Sequence, residues 1–414
     1  MFVLTILAAL LAPTDAKIAM LDGQTHHGSL ISISTSDVEL TENSAAVKLP
    51  LDEVMTIEFP AAASVPSAEL QTLFFADGSQ VHATSFLRSA KSATAQTALF
   101  GHLETGVEEI HAVRLQADDP LYAQQWNTFL KRESGKDSLV VAKRDGSGLD
   151  FLAGIVNTVG ADKIDFLLDG ESIPVPAQRV YGIVFGRPAG AKTIDSGPGT
   201  AVRVTSAAGD LVAARTITLA GDQLQLQSSW GQQISVPVSQ LRSIDLSAGR
   251  IQFLSDMPAL SERFDGVDPE NSLFAGLIDR EQQALLFGPQ RNMTIERQSK
   301  LRLRGREFTK GLCIHSRTEM KWSLEQRFSA IECVIGVDDE VAFNGTHAVA
   351  VKITGDETVL FEKLIATTDD PVPVRFPLDG VSTLTILVDF GDNSSVCDWL
   401  DIADARLVIA KDKK

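Results

Sequence analysis

The sequence predicts an all-β fold that consists of repeated small barrels, one connecting helix and a C-terminal β-rich domain. A thirteen-residue pattern with apolar residues at positions 1, 3, 8, 11 and 13 recurs in the first 248 residues. Glycine-containing turns lie upstream of each copy, between segments in which apolar and polar residues alternate. From about residue 250 the pattern stops, and longer strands with more aromatic and charged residues begin.

Three copies of the pattern carry a proline at position 4. They read VKLPLDEVMTIEF, IPVPAQRVYGIVF and ISVPVSQLRSIDL, at residues 47–59, 173–185 and 234–246. A weaker copy, LETGVEEIHAVRL at 103–115, has Gly106 at that position. Because proline cannot donate to a β-ladder, it is expected at the start or the edge of a strand.

The turns upstream of these copies predict β-hairpins. They are Asp22-Gly23, Asp77-Gly78, Asp145-Gly146 and Ala208-Gly209. Each repeat of strands is short, and closure into a small barrel would remove its exposed edges. The alternative, that two repeats pair as one sandwich, stays open.

One helix is predicted between the second and third repeats. Asp119 is suited to the N-cap, Pro120 to the first turn and Gly135 to the stop. Four apolar residues at helical spacing form one stripe that we expect to pack on a neighbouring barrel, with Trp126 in the core; they are Tyr122, Trp126, Phe129 and Leu130.

The predicted organisation is therefore a signal peptide at 1–16, β repeats at 17–60, 69–118, 138–187 and 198–248, a connecting helix at 119–136 and a C-terminal domain at 250–411. Segments rich in Ala, Pro, Gly and Ser, at 60–68 and 186–200, are predicted linkers.

Charge and the N-terminus restrict the class of protein. The net charge of −17 is unfavourable for nucleic acid and for an anionic membrane surface. The first residues, MFVLTILAALLAPTDA, resemble an export signal with Thr14 and Ala16 at the cleavage positions. The apolar run is too short to span a bilayer. We therefore expect a secreted, periplasmic or cell-surface protein that is not inserted in a membrane after signal removal.

Three cysteines, Cys313, Cys333 and Cys397, lie in the last third of the chain. In an exported protein they permit one disulfide and one free thiol. Their spacing does not indicate a zinc site.

The C-terminal domain resembles a known family. It contains LRLRGREFTKGLCIHSRTEMKWSL at 301–324, FSAIECVIGVDDEV at 328–341 and VCDWLDIADARLVI at 396–409. In this order the three stretches resemble the NPCBM family of carbohydrate-binding modules, although Ile402 stands where that family has Trp. The resemblance implies a jelly-roll β-sandwich that binds glycans without catalysis. The N-terminal repeats loosely resemble SH3-like or Sm-like barrels.

Five residues of this domain are candidate ligand contacts: His315, Asp338, Asp339, Asp398 and Trp399. An imidazole and carboxylates can exchange hydrogen bonds with sugar hydroxyls, and an indole can stack on a sugar ring. His315 and Trp399 could instead be core residues, as Trp in a sandwich usually is. The acidic turn that contains Asp338 and Asp339 could be neutralised by structural calcium or by hydrogen bonds.

The sequence thus predicts an exported, non-catalytic protein that binds a polysaccharide or glycan, with the repeats as spacers or as a surface for a protein partner. No cofactor is expected apart from a possible structural calcium ion. The alternatives are a scaffold that does not bind sugar and, because no acid/base constellation is found, less favourably a glycoside hydrolase.

Overall fold

The computed structural model describes residues 14–60, 70–132, 134–187, 202–265, 280–294, 299–342, 347–391 and 397–410. Two compact units divide the chain, residues 1–248 and residues 249–414. Strands dominate both units, which confirms the predicted all-β class. Over the described ranges, none of the helices has the length and apolar character needed to cross a membrane.

The N-terminal unit contains four repeats of five strands each. Repeat 1 comprises β1 Thr14–Met20, β2 Thr25–Ile33, β3 Asp37–Glu42, β4 Ala45–Pro50 and β5 Val54–Glu58; repeat 2 comprises β6 Gln71–Phe75, β7 Gln80–Arg88, β8 Ser92–Thr97, β9 Gly101–Gly106 and β10 Ile110–Arg114. Repeat 3 comprises β11 Asp137–Ala142, β12 Leu149–Val159, β13 Lys163–Leu168, β14 Glu171–Pro176 and β15 Gly182–Val184; repeat 4 comprises β16 Val202–Ser206, β17 Leu211–Ala220, β18 Gln223–Ser228, β19 Gln233–Pro237 and β20 Leu241–Asp245.

The four repeats share one pairing scheme. The first four strands pair with their sequence neighbours, and the fifth returns to pair with the first. In each repeat the second strand has a bulge against the third, at Ile31, Thr84, Asn157 and Arg215. A bulge bends and twists a strand, which allows a short sheet to curl over its own core. The resemblance of the repeats to SH3-like barrels stays a prediction.

Fifth strands join the repeats in pairs. β5 of repeat 1 pairs with β20 of repeat 4, where Ile57 faces Ile244. β10 of repeat 2 pairs with β15 of repeat 3, where Val113 faces Ile183. All four residues occupy position 11 of the thirteen-residue pattern. The same apolar position therefore supports each repeat and joins it to its partner.

Repeats 2 and 4 meet through their second strands. Leu211 of β17 pairs with Gln80 of β7. The buried carboxylate of Asp210 accepts hydrogen bonds from the backbone amide of His82 at 2.7 Å and lies 3.0 Å from its ring Nδ1. In the opposite direction, the amide of Ala213 donates to the Ser79 hydroxyl at 2.9 Å. The spatial order of the repeats is therefore 1, 4, 2, 3.

The connecting helix α1 runs from Pro120 to Leu130. Its N-cap is Asp119, as predicted, and the Asp119 side chain accepts from the amide of Leu121. Trp126 is buried, and Tyr122, Phe129 and Leu130 pack beside it, which confirms the predicted apolar stripe. The helix ends before the predicted stop at Gly135, because Lys131 already forms the C-cap.

The described residues include only part of the predicted signal peptide and linkers. Residues 1–13 of the predicted signal peptide lie outside the described residues, while Thr14 to Ala16 are paired with Leu30 to Gly28 in the β1–β2 hairpin. A cut after Ala16 would therefore remove the first three residues of β1. Most of the two predicted linkers also lies outside the described residues.

The described residues of the C-terminal unit form thirteen strands and two helices. The strands are β21 Ile251–Phe253, β22 Ser261–Phe264, β23 Gln290–Arg291, β24 Leu301–Leu303, β25 Arg306–Phe308, β26 Gly311–His315, β27 Thr318–Ser323, β28 Phe328–Val337, β29 Ala348–Gly355, β30 Thr358–Ala366, β31 Val372–Pro377, β32 Thr383–Phe390 and β33 Trp399–Ile409. The helices are α2 Arg280–Phe287 and α3 Asp339–Ala342.

The strands β26 to β33 form a two-layer sandwich. One sheet has the order β26-β33-β28-β31 and the other β27-β32-β29-β30. Successive strands therefore alternate between layers, except β29 and β30, which pair in the same sheet. Numbered one to eight, they run 1-8-3-6 and 2-7-4-5, which is a jelly roll, as predicted. Apolar side chains from both sheets form one core, in which Trp322 is fully buried.

Candidate functional site

The candidate site lies at one end of the first sheet, where β26 ends and β33 begins. His315, the last residue of β26, pairs with Trp399, the first residue of β33. Asp338 directly follows β28 on the other side of β33, and its backbone amide donates to the Trp399 carbonyl at 3.1 Å. The topology thus brings together the three segments that carry the predicted ligand residues.

His315 and Trp399 are in contact but lie in the interior. Their ring centroids are 5.0 Å apart in an edge-to-face arrangement, and Phe287 of α2 lies 4.8 Å from the imidazole on another side. The two residues are only 2% and 6% exposed. The predicted pair therefore exists, but neither ring offers an open face for stacking a sugar.

Asp398 connects β33 to the segment that follows β26. Its buried carboxylate accepts a hydrogen bond from the Ser316 hydroxyl at 2.6 Å, and its carbonyl accepts from the Ser316 amide. The next residue, Arg317, has a half-exposed side chain whose Nε lies 3.7 Å from Asp389 Oδ1. The buried Ser316–Asp398 contact therefore fixes the backbone beside an exposed arginine and a partly exposed carboxylate.

Hydrogen bonds and one ion pair, between Arg302 Nε and Asp339 Oδ2 at 3.4 Å, stabilise the acidic turn. Asp339 accepts from the backbone amides of Arg304 and Gly305 at 2.8 and 2.7 Å. Glu340 accepts from the Thr294 hydroxyl at 2.8 Å, and Asp338 Oδ1 accepts from the Glu340 amide at 2.7 Å. Of the two explanations considered for this turn, the structure shows the hydrogen bonds, and the calcium ion stays a prediction.

Asp339 also binds the β24–β25 hairpin, which packs against this sheet. Arg304 and Gly305 form the turn of the β24–β25 hairpin. A Cβ atom added at Gly336 would lie 3.0 Å from Leu303 Cδ2. This short distance shows that the hairpin packs closely on β28. The hairpin therefore lies against the strand that ends in Asp338.

A second polar group lies buried in the same sheet. Cys313 and Asp401 face each other on β26 and β33, two residues along from the His315–Trp399 pair. The Cys313 sulfur, one carboxylate oxygen of Asp338 and one of Asp401 lie within 4.8 Å of one another, and all three residues are fully buried. Among the described residues, Asp338 Oδ2 and both carboxylate oxygens of Asp401 have no partner of normal hydrogen-bond geometry, although the three side chains are close enough to share protons.

Burial controls the protonation of this group. Loss of hydration raises the pKa of Asp401 well above its ordinary value, and the Asp338 charge raises it further. Burial likewise raises the pKa of Asp338 and of the Cys313 thiol. Without a counter-charge, these groups stay neutral by retaining protons. Asp401 can then share one proton with Asp338 and another with the Cys313 thiol.

The structure thus brings all five predicted residues together, with Asp338 and Asp398 fully buried and Asp339 mostly buried. Their role in ligand binding stays a prediction. Ile402, which stands where the resembled family has Trp, is also fully buried and pairs with Leu312 and Ile335 in the core. That position therefore does not form an exposed aromatic surface in this chain.

Sequence reasoning did not select Cys313, Ser316 or Asp401 as site residues. One signal was available, because a lone Asp401 between Leu400 and Ile402 is unusual in an apolar strand. None of the three cysteines, all of them described, forms a disulfide.

Comparison with known proteins agrees with this architecture. Residues 276–408 match the family model of the NPCBM/NEW2 domain, and this part of the chain is such a domain. No curated protein matches the chain.

Solved structures similar to the chain include CBM51 modules. One is CBM51 of a GH95 protein from Clostridium perfringens in complex with methyl-galactose, with 20% identity over 38% of this chain and 99% of that chain, at a TM-score of 0.31. A second comprises the CBM51-2 domain, in complex with GlcNAc, and INT domains of ZmpB from the same organism, with 16% identity over 49% of this chain and 42% of that chain, at a TM-score of 0.32. A third comprises tandem CBM51 modules of a family 98 glycoside hydrolase from Streptococcus pneumoniae, with 10% identity over 96% of this chain and 92% of that chain, at a TM-score of 0.31.

Proposed function

We propose that this chain binds glycans outside the cytoplasm through its C-terminal sandwich, and that it does so without catalysis. The match of residues 276–408 to a carbohydrate-binding family supports the ligand class. The observation that carries the site is the convergence of His315, Trp399 and Asp398 at one end of a single sheet.

In this proposal the buried residues position the exposed side chains that contact the sugar. His315 and Trp399 are too buried to stack on a sugar ring, so they hold the ends of β26 and β33 in place. The neighbouring Arg317 and Asp389 supply exposed hydrogen-bond donors and acceptors. A guanidinium and a carboxylate together can bind adjacent sugar hydroxyls, since one only donates and the other only accepts.

The same geometry supports the non-catalytic part of this proposal. A glycoside hydrolase needs two carboxyl groups that flank the bond, about 5–9.5 Å apart and open to substrate. Asp338 and Asp401 are fully buried, and Asp339 is occupied by the hairpin amides. Release of reducing sugar by the purified chain would contradict this part of the proposal.

The first test replaces the exposed arginine. We expect Arg317→Ala to weaken binding of the full chain to its best glycan on an array by roughly tenfold or more, since hydrogen bonds from charged groups contribute about 1.5–3 kcal/mol. Arg327→Ala is the matched control, because the Arg327 side chain is equally exposed, at 54%, and also faces a carboxylate. Equal binding by both variants would place the sugar elsewhere.

A second pair of variants tests the positioning role. Trp399→Phe should reduce glycan affinity, whereas Trp322→Phe, which removes the same volume from the same core, should reduce only thermal stability. Equal losses of affinity would indicate a general effect of packing. If the full chain binds no glycan, the alternative function as a protein scaffold replaces the proposal of glycan binding.

A further inference from the structure

Three buried side chains with potential ligand atoms meet in the core of the sandwich, namely Cys313, Asp338 and Asp401. Asp338 Oδ2 and both carboxylate oxygens of Asp401 have no partner of normal hydrogen-bond geometry among the described residues. The remaining oxygen of Asp338 is already taken by the Glu340 amide. We propose that this group binds one divalent transition-metal ion of the zinc type, as a structural site separate from glycan binding.

The distances suit such an ion. The three residues offer ligand atoms that lie within 4.8 Å of one another. In a tetrahedral zinc site with Zn–S and Zn–O bonds of roughly 2.3 and 2.1 Å, neighbouring ligand atoms lie about 3.4–3.6 Å apart. Closure on the metal therefore needs shifts of up to about one ångström.

The number and kind of ligands select the metal. With Asp401 bidentate, one sulfur and three oxygens give four-fold coordination, the number that structural zinc sites use. Calcium requires six to eight oxygen ligands and does not use thiolate, so the group offers too few oxygens for it. No position is left for water, which fits a closed structural site rather than a catalytic one.

A bound cation would also resolve the electrostatics of the group. Cys313, Asp338 and Asp401 are fully buried, and the loss of hydration of such groups is costly unless a partner compensates for it. A divalent ion would supply that partner at contact distance. It would connect β26, β33 and the end of β28, three elements that come from distant parts of the sequence.

Metal content of the full chain is the direct test. We expect one zinc ion per chain by elemental analysis after purification in zinc-containing buffer and dialysis. Replacement by Co²⁺ should give the near-ultraviolet charge-transfer band of a cobalt–thiolate bond. Chelation should lower the unfolding temperature, because metal-binding free energy adds to folding free energy.

The control is the second buried cysteine. Cys313→Ser should remove the cobalt–thiolate band and the zinc, whereas Cys333→Ser, which alters a thiol in the same core, should retain both. Asp401→Asn should lower zinc content in a folded chain. The proposal is overturned if the wild-type chain, loaded with Zn²⁺ or Co²⁺, holds no ion and shows no band, a readout that does not depend on whether any variant folds.

Discussion

At the scale of single residues, Asp210 is the most informative polar group of the N-terminal unit. It is fully buried where repeats 2 and 4 meet, and it binds His82 of one repeat and Ser206 of its own. Burial alone would raise the pKa of Asp210, but hydrogen bonds from His82 and Ser206 outweigh that effect and lower it. The ionised carboxylate therefore joins two repeats.

This lowered pKa gives a pH dependence with a definite sign. A carboxylate whose pKa falls on folding stabilises the chain above its unfolded value of about 3.9, and the contribution is lost as the pH falls through the lower folded value. Asp210→Asn should lower the free energy of unfolding by about 1–3 kcal/mol at neutral pH. The difference from wild type should be smaller at a pH below about 3.9, where the unfolded chain is protonated.

Urea unfolding at the two pH values measures this effect. Asp222→Asn, at an exposed position of the same repeat, is the control and should change little at either pH. A difference for Asp210→Asn that stays constant with pH would mean that the side chain acts through packing rather than charge.

At the scale of elements, a glycine permits the second strand to approach the third in two repeats. Gly28 and Gly154 each precede the bulge of their strand by three residues. A Cβ atom at Gly154 would lie 2.5 Å from the Leu167 carbonyl oxygen. A Cβ atom at Gly28 would overlap the Thr41 carbonyl oxygen. Only a residue without a side chain allows this close contact of backbones.

Alanine at either position should therefore destabilise the unit. We expect Gly28→Ala and Gly154→Ala each to lower the free energy of unfolding by about 1–3 kcal/mol, the usual cost of overpacking. Thermal unfolding is the measurement, and Gly135→Ala is the control because its Cβ would meet nothing within 4 Å. Equal stability of the three variants would show that the backbone can move apart at little cost.

Local signals predicted the elements well. Alternating residues and glycine turns marked the hairpins, and Asp119 with Pro120 marked the start of α1. The helix end was wrong because Gly135 is not needed to stop a helix that Lys131 already caps. The bulges were not predicted, because a bulge depends on the register between two strands, which no single strand reveals.

The burial of the candidate site residues could not be predicted from the sequence. The resemblance marked His315 and Trp399, and both are at the same sheet end. Whether His315 faces solvent depends in part on Phe287, which reaches the imidazole through tertiary packing. The Cys313–Asp401 contact was missed for the same reason, since 88 residues separate two atoms that only strand register brings together.

At the scale of the whole molecule, the first and last repeats are partners. β5 and β20 pair side by side although 183 residues separate Glu58 from Leu241. Repeats 2 and 3, which are neighbours in sequence, pair in the same way through β10 and β15. Damage to repeat 1 should therefore reach repeat 4 before repeat 3.

Hydrogen exchange can measure this coupling. Ile57→Ala removes a buried side chain at the β5–β20 junction and should destabilise repeat 1 by about 2–5 kcal/mol. Amides of β20 should then exchange faster, while those of β15 change less. Ile31→Ala, at a partly exposed position of repeat 1, is the control. Unchanged exchange in β20 would contradict the coupling.

This pairing also has a consequence during translation. A ribosome that adds about 5–20 residues per second needs roughly 10–40 s to proceed from β5 to β20. Over that interval β10 and β15 can already join, whereas the outer edge of β5 has no complementary strand. The nascent first repeat must therefore wait, with one border unprotected, until the last repeat has left the exit tunnel.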